Sequence, residues 1–134
     1  MRITHEADYA VRIVYTLMQE NGTLSARTVS ERTGVTIRFT LKILNKLSTD
    51  GIVTARKGSS GGYTLAAAPA TLSLGQIIEC IDGPFELNHC LSEDFPCTRV
   101  GDKNLCRFHK LFDQLNCEFK DKLYAIKMID YIDK

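Results

Sequence analysis

The residues best suited to chemistry are three cysteines and a histidine in the C-terminal half of the chain. Cys90, Cys97 and Cys106 are separated by six and eight residues, and His109 follows Cys106 by one helical turn. Thiolate and imidazole ligands suit an iron–sulfur cluster or zinc. Structural zinc sites usually contain paired ligands two to four residues apart, and only Cys106 and His109 meet that spacing. The pattern therefore favours a cluster, with zinc and cluster-free redox-sensing thiols as alternatives.

These four residues are expected where a loop runs into a helix. Residues 85–104 show no hydrophobic period and contain Asn, Ser, Asp, Pro and Gly, which indicates a loop. A helix is predicted from about Leu105 to the end of the chain. Cys106 and His109 then point the same way from the start of that helix, where the helix N-terminus lowers the pKa of a thiol.

The remaining cysteines have a different expected role. Cys80 and Cys117 lie within predicted helices among apolar neighbours, so we expect small buried core residues. His89, which is next to Cys90 in the sequence, is a less favoured candidate ligand. The total of five cysteines is odd, and a chain expected to be cytoplasmic does not usually contain a disulfide framework.

The last helix carries an apolar stripe that needs a partner. Its residues recur at three and four positions, and no Gly or Pro interrupts them. We expect the stripe to pack against its copy in a second subunit, since DNA-binding proteins of this size usually read two half-sites. The alternative is packing on the chain's own N-terminal half. The stripe is Phe108, Leu111, Phe112, Leu115, Phe119, Leu123 and Ile126.

The N-terminal half has the pattern of a winged helix-turn-helix. Two helices joined by a short Gly-containing turn are followed by a basic, glycine-rich hairpin. Pro69 ends this unit, and Ser73 caps a further short helix over residues 74–81. The fold class is therefore mainly α with a small β-hairpin. The elements of the unit are helices over residues 5–20 and 26–32, a helix that Thr36 caps and Gly51 ends, and strands over residues 52–55 and 63–66.

The third of these helices is predicted to read DNA, with the hairpin as its wing. One side of the helix is expected to be buried through Phe39, Leu41, Ile43, Leu44 and Leu47. Arg38 and Lys42 lie on the exposed side and can read guanine edges or grip phosphate. A winged helix used for protein contact is the alternative. The predicted DNA contacts are Ser25, Arg27, Thr28, Thr36, Arg38, Thr40, Lys42, Arg56, Lys57, Ser59, Ser60 and Gly61.

Charge and composition support this division of roles. The net charge is +1, but residues 1–66 hold nine Lys and Arg against five Asp and Glu, whereas residues 67–134 hold eight against eleven. The basic half is the predicted DNA-binding half. The chain has no apolar run of membrane-spanning length, no signal-peptide pattern, no nucleotide-binding loop and no nucleophile motif. We therefore expect a cytoplasmic protein that is not an enzyme.

The sequence resembles a family of bacterial winged-helix regulators on several motifs. The family includes the iron–sulfur cluster assembly regulator, the nitric-oxide-sensing repressor and the cysteine metabolism repressor. The resemblance implies a homodimer that binds palindromic promoter DNA, in many members under the control of an iron–sulfur cluster that senses oxygen, nitric oxide, redox state or cluster supply. The matching residues are 1–4, 7–12, 61–65, 77–79 and 82–84, followed by the three cysteines.

The resemblance also implies the ligands. Cys90, Cys97 and Cys106 match the family's cysteines, and the fourth ligand is His109 as in the assembly regulator or Asp8 as in the nitric-oxide sensor, which takes it from the other subunit. The longer spacing between the second and third cysteines leaves two-iron and four-iron clusters open. Oxidation often removes such clusters, so aerobically purified protein can lack it.

Two functions follow from these expectations. The favoured one is a dimeric transcriptional regulator whose promoter binding depends on the cluster. The alternative is a cluster-free winged-helix repressor controlled by a partner protein or by cysteine oxidation. The resemblance allows this function, because the cysteine metabolism repressor of the same family works without a cluster. The chain divides into a DNA-binding unit at residues 1–66, a short helix with the ligand loop at 67–104, and a dimerisation helix at 105–134.

Overall fold

A computed structural model describes residues 2–132 as a helical fold with one antiparallel hairpin, as the sequence predicts. The part of the chain that it describes contains no helix that is both long and apolar enough to cross a membrane. The helices are α1 (His5–Glu20), α2 (Ala26–Thr33), α3 (Ile37–Thr49), α4 (Leu74–Asp82) and α5 (Arg107–Ala125), the strands are β1 (Val53–Arg56) and β2 (Gly62–Leu65), and short 3-10 turns lie at His89–Leu91, Lys103–Leu105 and Met128–Tyr131.

Local capping explains where the first four helices begin. Thr4, Ser25, Thr36 and Ser73 each accept a hydrogen bond from the backbone N–H three residues on. Each bond satisfies a donor that the helix leaves free. At Ser73 the Gln76 side chain also accepts from the Ser73 N–H, which completes a capping box. The caps predicted at Ser25, Thr36 and Ser73 are confirmed.

Helix α1 lies at the centre of the hydrophobic core. Its buried side, which includes Ala10, Ile13, Val14 and Leu17, contacts α2, α3, α4 and the hairpin. The hairpin pairs Val53 with Leu65 and is extended by Leu24, whose backbone exchanges hydrogen bonds of 2.9 and 2.7 Å with Tyr63. The wing is thereby fixed to the segment that leads into α2.

The approach of Leu24 to the wing requires glycine at position 62. Gly62 has a φ of +152°, and a Cβ there would collide with the backbone of Leu24. Both the conformation and the contact exclude a side chain.

The C-terminal helix is shorter than the sequence predicts. Helix α5 ends at Ala125, because the chain then returns to the start of α4. The carbonyl of Ile126 accepts from the Leu74 N–H at 2.9 Å, and the Met128 N–H donates to the Leu72 carbonyl at 2.9 Å. Met128 is buried in the core. The prediction of helix to the end of the chain is therefore wrong over residues 126–132, and residues 133–134 lie outside the described part.

Helix α5 packs on α4 through a small number of side chains. The ring of Tyr124 lies where a Cβ of Gly75 would be, and Lys120 pairs with Glu79 at 3.3 Å. Within α5, which the structure describes from end to end, no residue is fully buried. The predicted apolar stripe is largely exposed, with Phe108 at 58%, Leu111 at 49%, Leu115 at 42% and Phe119 at 44%.

The two isolated cysteines differ from their predicted burial. Cys117 is exposed on α5, so the prediction of a buried core residue is wrong there, because α5 has no second layer on that side. Cys80 is half-buried against the core, and its thiol donates to the Lys46 carbonyl at 3.6 Å. Burial and the neighbouring Asp50 raise the pKa of Cys80 to about 12, so its thiol stays protonated at neutral pH.

Candidate functional site

The three clustered cysteines and His109 line one cavity of about 410 Å³ between the loop after α4 and the first turns of α5. Cys106 is the N-cap residue of α5, and His109 lies in the first turn. The Nδ1 atom of His109 is 3.4 Å from the Sγ atom of Cys90, although 19 residues separate them. The fold therefore places all four residues that the spacing singled out around one cavity, with Cys90 and His109 in contact.

The cavity is not a closed metal site in this single chain. The three cysteine thiols are free and half-buried. Within residues 2–132, no three His, Cys, Asp or Glu side chains lie close enough together to hold a metal ion. Cys90 and His109 are in contact, while Cys97 and Cys106 line the same cavity.

The surroundings of Cys106 favour its thiolate. The free backbone N–H of His109, in the first turn of α5, lowers the pKa of Cys106 below its usual value, against the opposing effect of desolvation. The N–H of Phe108 and the guanidinium of Arg99 lower this pKa further. Because the thiolate is the form of cysteine that binds metals, Cys106 at the start of α5 is well suited to be a metal ligand.

Two contacts anchor the cysteine-bearing loop to α5. The side chain of Asn116 accepts from the Leu87 N–H at 2.9 Å and donates to the Phe85 carbonyl at 2.8 Å. The ring of Phe85 also stacks on that of Phe119, with 5.0 Å between centroids. Asn116 was not among the residues predicted from the sequence. An asparagine in the middle of a helix is the available signal, because its side chain competes for backbone groups.

We expect Asn116→Ala to loosen the start of this loop. The substitution removes two hydrogen bonds to backbone groups, and losing such partners typically costs about 1–3 kcal/mol. Amide hydrogen exchange at Leu87 should become at least about tenfold faster. Exchange at Val14 in the core of α1 serves as the control. An unchanged rate at Leu87 would show that the stacked Phe85 ring holds the loop without Asn116.

The other candidate ligands lie elsewhere in this chain. Asp8 is on α1, where its carboxylate pairs with Arg12 at 2.9 Å, and it does not line the cysteine cavity. His89 stacks on Phe95 at 6.1 Å between ring centroids and is also not a lining residue. Of the three candidates for the fourth ligand, His109 is the one that lines the cavity in this chain.

The predicted DNA contacts mostly lie on exposed surface. Ser25 and Thr36, which cap α2 and α3, are both exposed, so the N-termini of these helices lie at the surface. In the wing, the Gly61 N–H donates to the Gly58 carbonyl at 3.0 Å, so the tip is a tight turn. The exposed members are Ser25, Arg27, Thr36, Arg38, Lys42, Arg56, Lys57, Ser59 and Ser60, and Thr28 and Gly61 are half-buried.

The exposed side of α3 differs from the predicted one at Thr40. Thr40 is fully buried, and its hydroxyl donates to the Val35 carbonyl at 3.4 Å, so the prediction of a DNA contact is wrong there. Phe39 and Leu41, which were expected to be buried, are exposed at 43% and 45%. The core contacts only the side of α3 that carries Thr40, Ile43, Leu44 and Leu47, and residues 39 and 41 flank that side.

A carboxylate on α1 holds two lysines of α3. The Oε1 atom of Glu6 is 2.9 Å from the Nζ atom of Lys46 and 3.6 Å from that of Lys42. Burial raises the pKa of Glu6, but the hydrogen bonds and charges of these lysines outweigh that effect and keep the pKa below its usual value. This link between α1 and α3 was not predicted from the sequence.

A larger cavity of about 830 Å³ lies on the other side of α1 and contains no cysteine or histidine. It is lined by Arg12 and Arg32, whose guanidinium groups pair with Asp8 at 2.9 Å and with Glu20 at 2.6 Å. Its charged groups are therefore already paired, and its lining supplies none of the predicted ligands.

Comparison with known proteins gives consistent matches. The family model Rrf2, described as an iron-dependent transcriptional regulator, matches residues 3–134. An rrf2-like HTH-type regulator of Rhodobacter capsulatus is 32% identical over 120 residues, which cover 84% of this chain and 80% of that protein. The regulator IscR of Klebsiella pneumoniae is 28% identical over 118 residues, covering 87% and 70%.

A solved structure shows the same fold. CymR of B. subtilis, titled a global cysteine regulator, superposes with a TM-score of 0.76 at 20% identity and covers 99% of both chains. At that identity the likeness concerns the fold alone.

Proposed function

Since this chain belongs to the Rrf2 family of transcriptional regulators, we propose that it is a homodimeric DNA-binding regulator controlled by an iron–sulfur cluster. Members of the family are regulators and not enzymes. The observation that carries the cluster proposal is the meeting of Cys90, Cys97, Cys106 and His109 around one cavity. Two thiols from the loop, together with the thiol of Cys106 and the imidazole of His109 at the start of α5, fit the ligand chemistry of such a cluster.

The proposed ligands have separate tasks. Cys90, Cys97 and Cys106 bind the cluster as thiolates, and Cys106 is favoured because its pKa is already lowered. His109 or the partner subunit's Asp8 completes the set. When bound, the cluster supplies a centre that responds to oxygen, nitric oxide, redox state or cluster supply, and it has two or four irons.

The packing of α5 offers a route from this site to the DNA-binding unit. Cys106 starts α5, which contacts α4 through Tyr124 and through the pair of Lys120 with Glu79. Helix α4 packs on α1, and the Thr4 hydroxyl and N–H before α1 donate to the Asp82 carboxylate at the end of α4. If loss of the cluster shifted α5, these contacts would transmit the shift through α4 to α1.

Movement of α1 is transmitted directly to α3, the helix proposed to read DNA. Glu6 holds Lys42 and Lys46 of α3, so α1 and α3 move together. In a dimer, such a shift alters the separation or tilt of two α3 helices that read half-sites about 34 Å apart. Residues 1–66 act as the DNA-binding unit, 67–104 as the ligand unit and 105–134 as the dimerisation unit, on palindromic promoter DNA in the cytoplasm.

A second candidate function retains DNA binding and drops the cluster. In this version a partner protein, or oxidation of Cys90, Cys97 or Cys106, controls promoter affinity. The half-buried thiols and the lowered pKa of Cys106 suit oxidation as well as metal binding.

Anaerobic purification with metal analysis separates the two functions. We expect absorbance near about 420 nm with equal amounts of iron and acid-labile sulfide, either two or four of each per subunit. The absorbance should disappear on exposure to air or nitric oxide, with a change in affinity for promoter DNA. A colourless, iron-free protein that stays so after reconstitution would favour the cluster-free regulator.

A further inference from the structure

Helix α3 presents two apolar side chains to solvent beside its cationic residues. Ile37 is 47% exposed and Leu41 is 45% exposed. They are four residues apart and therefore lie on one side of the helix. Phe39, also exposed, lies on the opposite flank, where its ring meets Tyr9 edge-on at 6.1 Å and Lys42 at 6.0 Å.

The position of this pair on the helix places it next to the predicted reading residues. At about 100° per residue, Leu41 lies about 60° from Arg38 around the helix axis, and Ile37 about 40° from Leu41. The buried side, around Thr40 and Leu44, lies beyond Ile37. Ile37 and Leu41 thus form a narrow apolar strip between the core and Arg38.

The charges around the strip indicate what covers it. The capped N-terminus of α3, Arg38 and Lys42 lie on the same helix, and exposed Arg56 and Lys57 start the wing tip. This arrangement complements a polyanion, and an α-helix of this kind fits the major groove. The apolar feature of the major-groove floor is the C5-methyl group of thymine.

We propose that Ile37 and Leu41 read thymine methyl groups and thereby select A·T pairs at defined positions of each half-site. This inference rests on the proposed DNA binding of α3 and adds a specificity determinant to it. Arg38 and Lys42 supply contacts to guanine or phosphate, while the apolar strip excludes bases that present a polar edge at its positions. Position 40, which faces the core, takes no part.

The test uses DNA selected by the protein itself. The reconstituted full-length protein is used to enrich duplexes from a randomised library, and each thymine of the enriched site is then replaced singly by deoxyuridine. Deoxyuridine pairs with adenine in the same way and lacks only the methyl group. We expect one or two replacements in each half-site to weaken binding by about three- to fivefold, the effect of one buried methyl group, while the others have no effect.

Leu41→Ala links the effect to the side chain. This variant should bind the thymine duplex about as weakly as the native protein binds the sensitive deoxyuridine duplex, and it should no longer distinguish the two. Leu41→Met, which keeps an apolar side chain of similar length, should retain the discrimination. Leu41 is half-exposed, so neither change threatens the fold.

Each outcome decides the proposal. Specific DNA binding that is insensitive to every deoxyuridine replacement would overturn the thymine contact and leave the DNA-binding function intact. The same holds if Leu41→Ala keeps the discrimination and Ile37→Ala also keeps it. A library from which nothing is enriched would overturn the DNA-binding function and the thymine contact together.

Discussion

Cys106→Ser should remove nearly all iron from anaerobically prepared protein, whereas Cys117→Ser should leave the iron content unchanged. Cys106 lines the shared cavity, and its thiol has a lowered pKa at the start of α5. The serine hydroxyl has nearly the same size but does not ionise at neutral pH and is a poor ligand for iron. We expect iron and sulfide per subunit to fall by more than about tenfold, with loss of the visible absorbance.

Cys117 is a matched control because it is a cysteine on the same helix. It is exposed and does not line the cavity. The same chemical change there tests whether any loss of iron is specific to the site. If Cys106→Ser kept its iron, or if Cys117→Ser lost it equally, the assignment of ligands would be wrong. If both variants and the native protein lacked iron but Cys106→Ser alone lost its redox response, the thiol-controlled regulator would be supported.

The helix starts were predictable because capping is local. Thr36 and Ser73 each satisfy a backbone donor three residues away, so the sequence around them contains the whole interaction. The sequence also predicted in outline that Cys90 and His109 lie near each other, because both belong to the predicted set of metal ligands. The sequence could not supply the 3.4 Å contact itself, which depends on the fold of the loop.

The sequence did not show which apolar residues of α3 are exposed. Ile37, Phe39, Leu41, Ile43 and Leu44 occupy about 200° of the helix circumference, which is wider than the side that the core buries, so residue type alone does not identify the exposed ones. Contacts with α1, α2 and α4 decide the matter and bury Thr40 instead of Leu41. Leu41, which the sequence placed on the buried side, is one of the two residues of the proposed thymine-reading strip.

The end of α5 depends on residues far away in the chain. No Gly or Pro follows Ala125, and Ile126 and Met128 continue an apolar pattern. The helix ends because the backbone after it pairs with Leu72 and Leu74, more than 50 residues earlier. Asn116 is a similar case, since its partners Phe85 and Leu87 belong to a loop whose course is set by tertiary packing.

Leu111→Glu should convert the proposed homodimer into a monomer. The exposed apolar stripe of α5 includes Leu111 at 49%, Leu115 at 42% and Phe119 at 44%, which is more apolar surface than one helix usually leaves in water. Packing two such stripes together buries side chains worth about 1.5–3 kcal/mol each. A carboxylate in that contact loses its hydration without a partner, at a cost of about 3 kcal/mol or more.

The substitution acts twice in a symmetric dimer, so the dimer dissociation constant should rise by more than about 100-fold. Sedimentation equilibrium measures this constant, and circular dichroism checks that the helices remain. Lys110→Gln is the control, because it changes the net charge by the same amount at an exposed position away from the stripe. A Leu111→Glu protein that remains dimeric would show that the two subunits meet elsewhere, and the route from Cys106 through α5 to a second α3 would then need another interface.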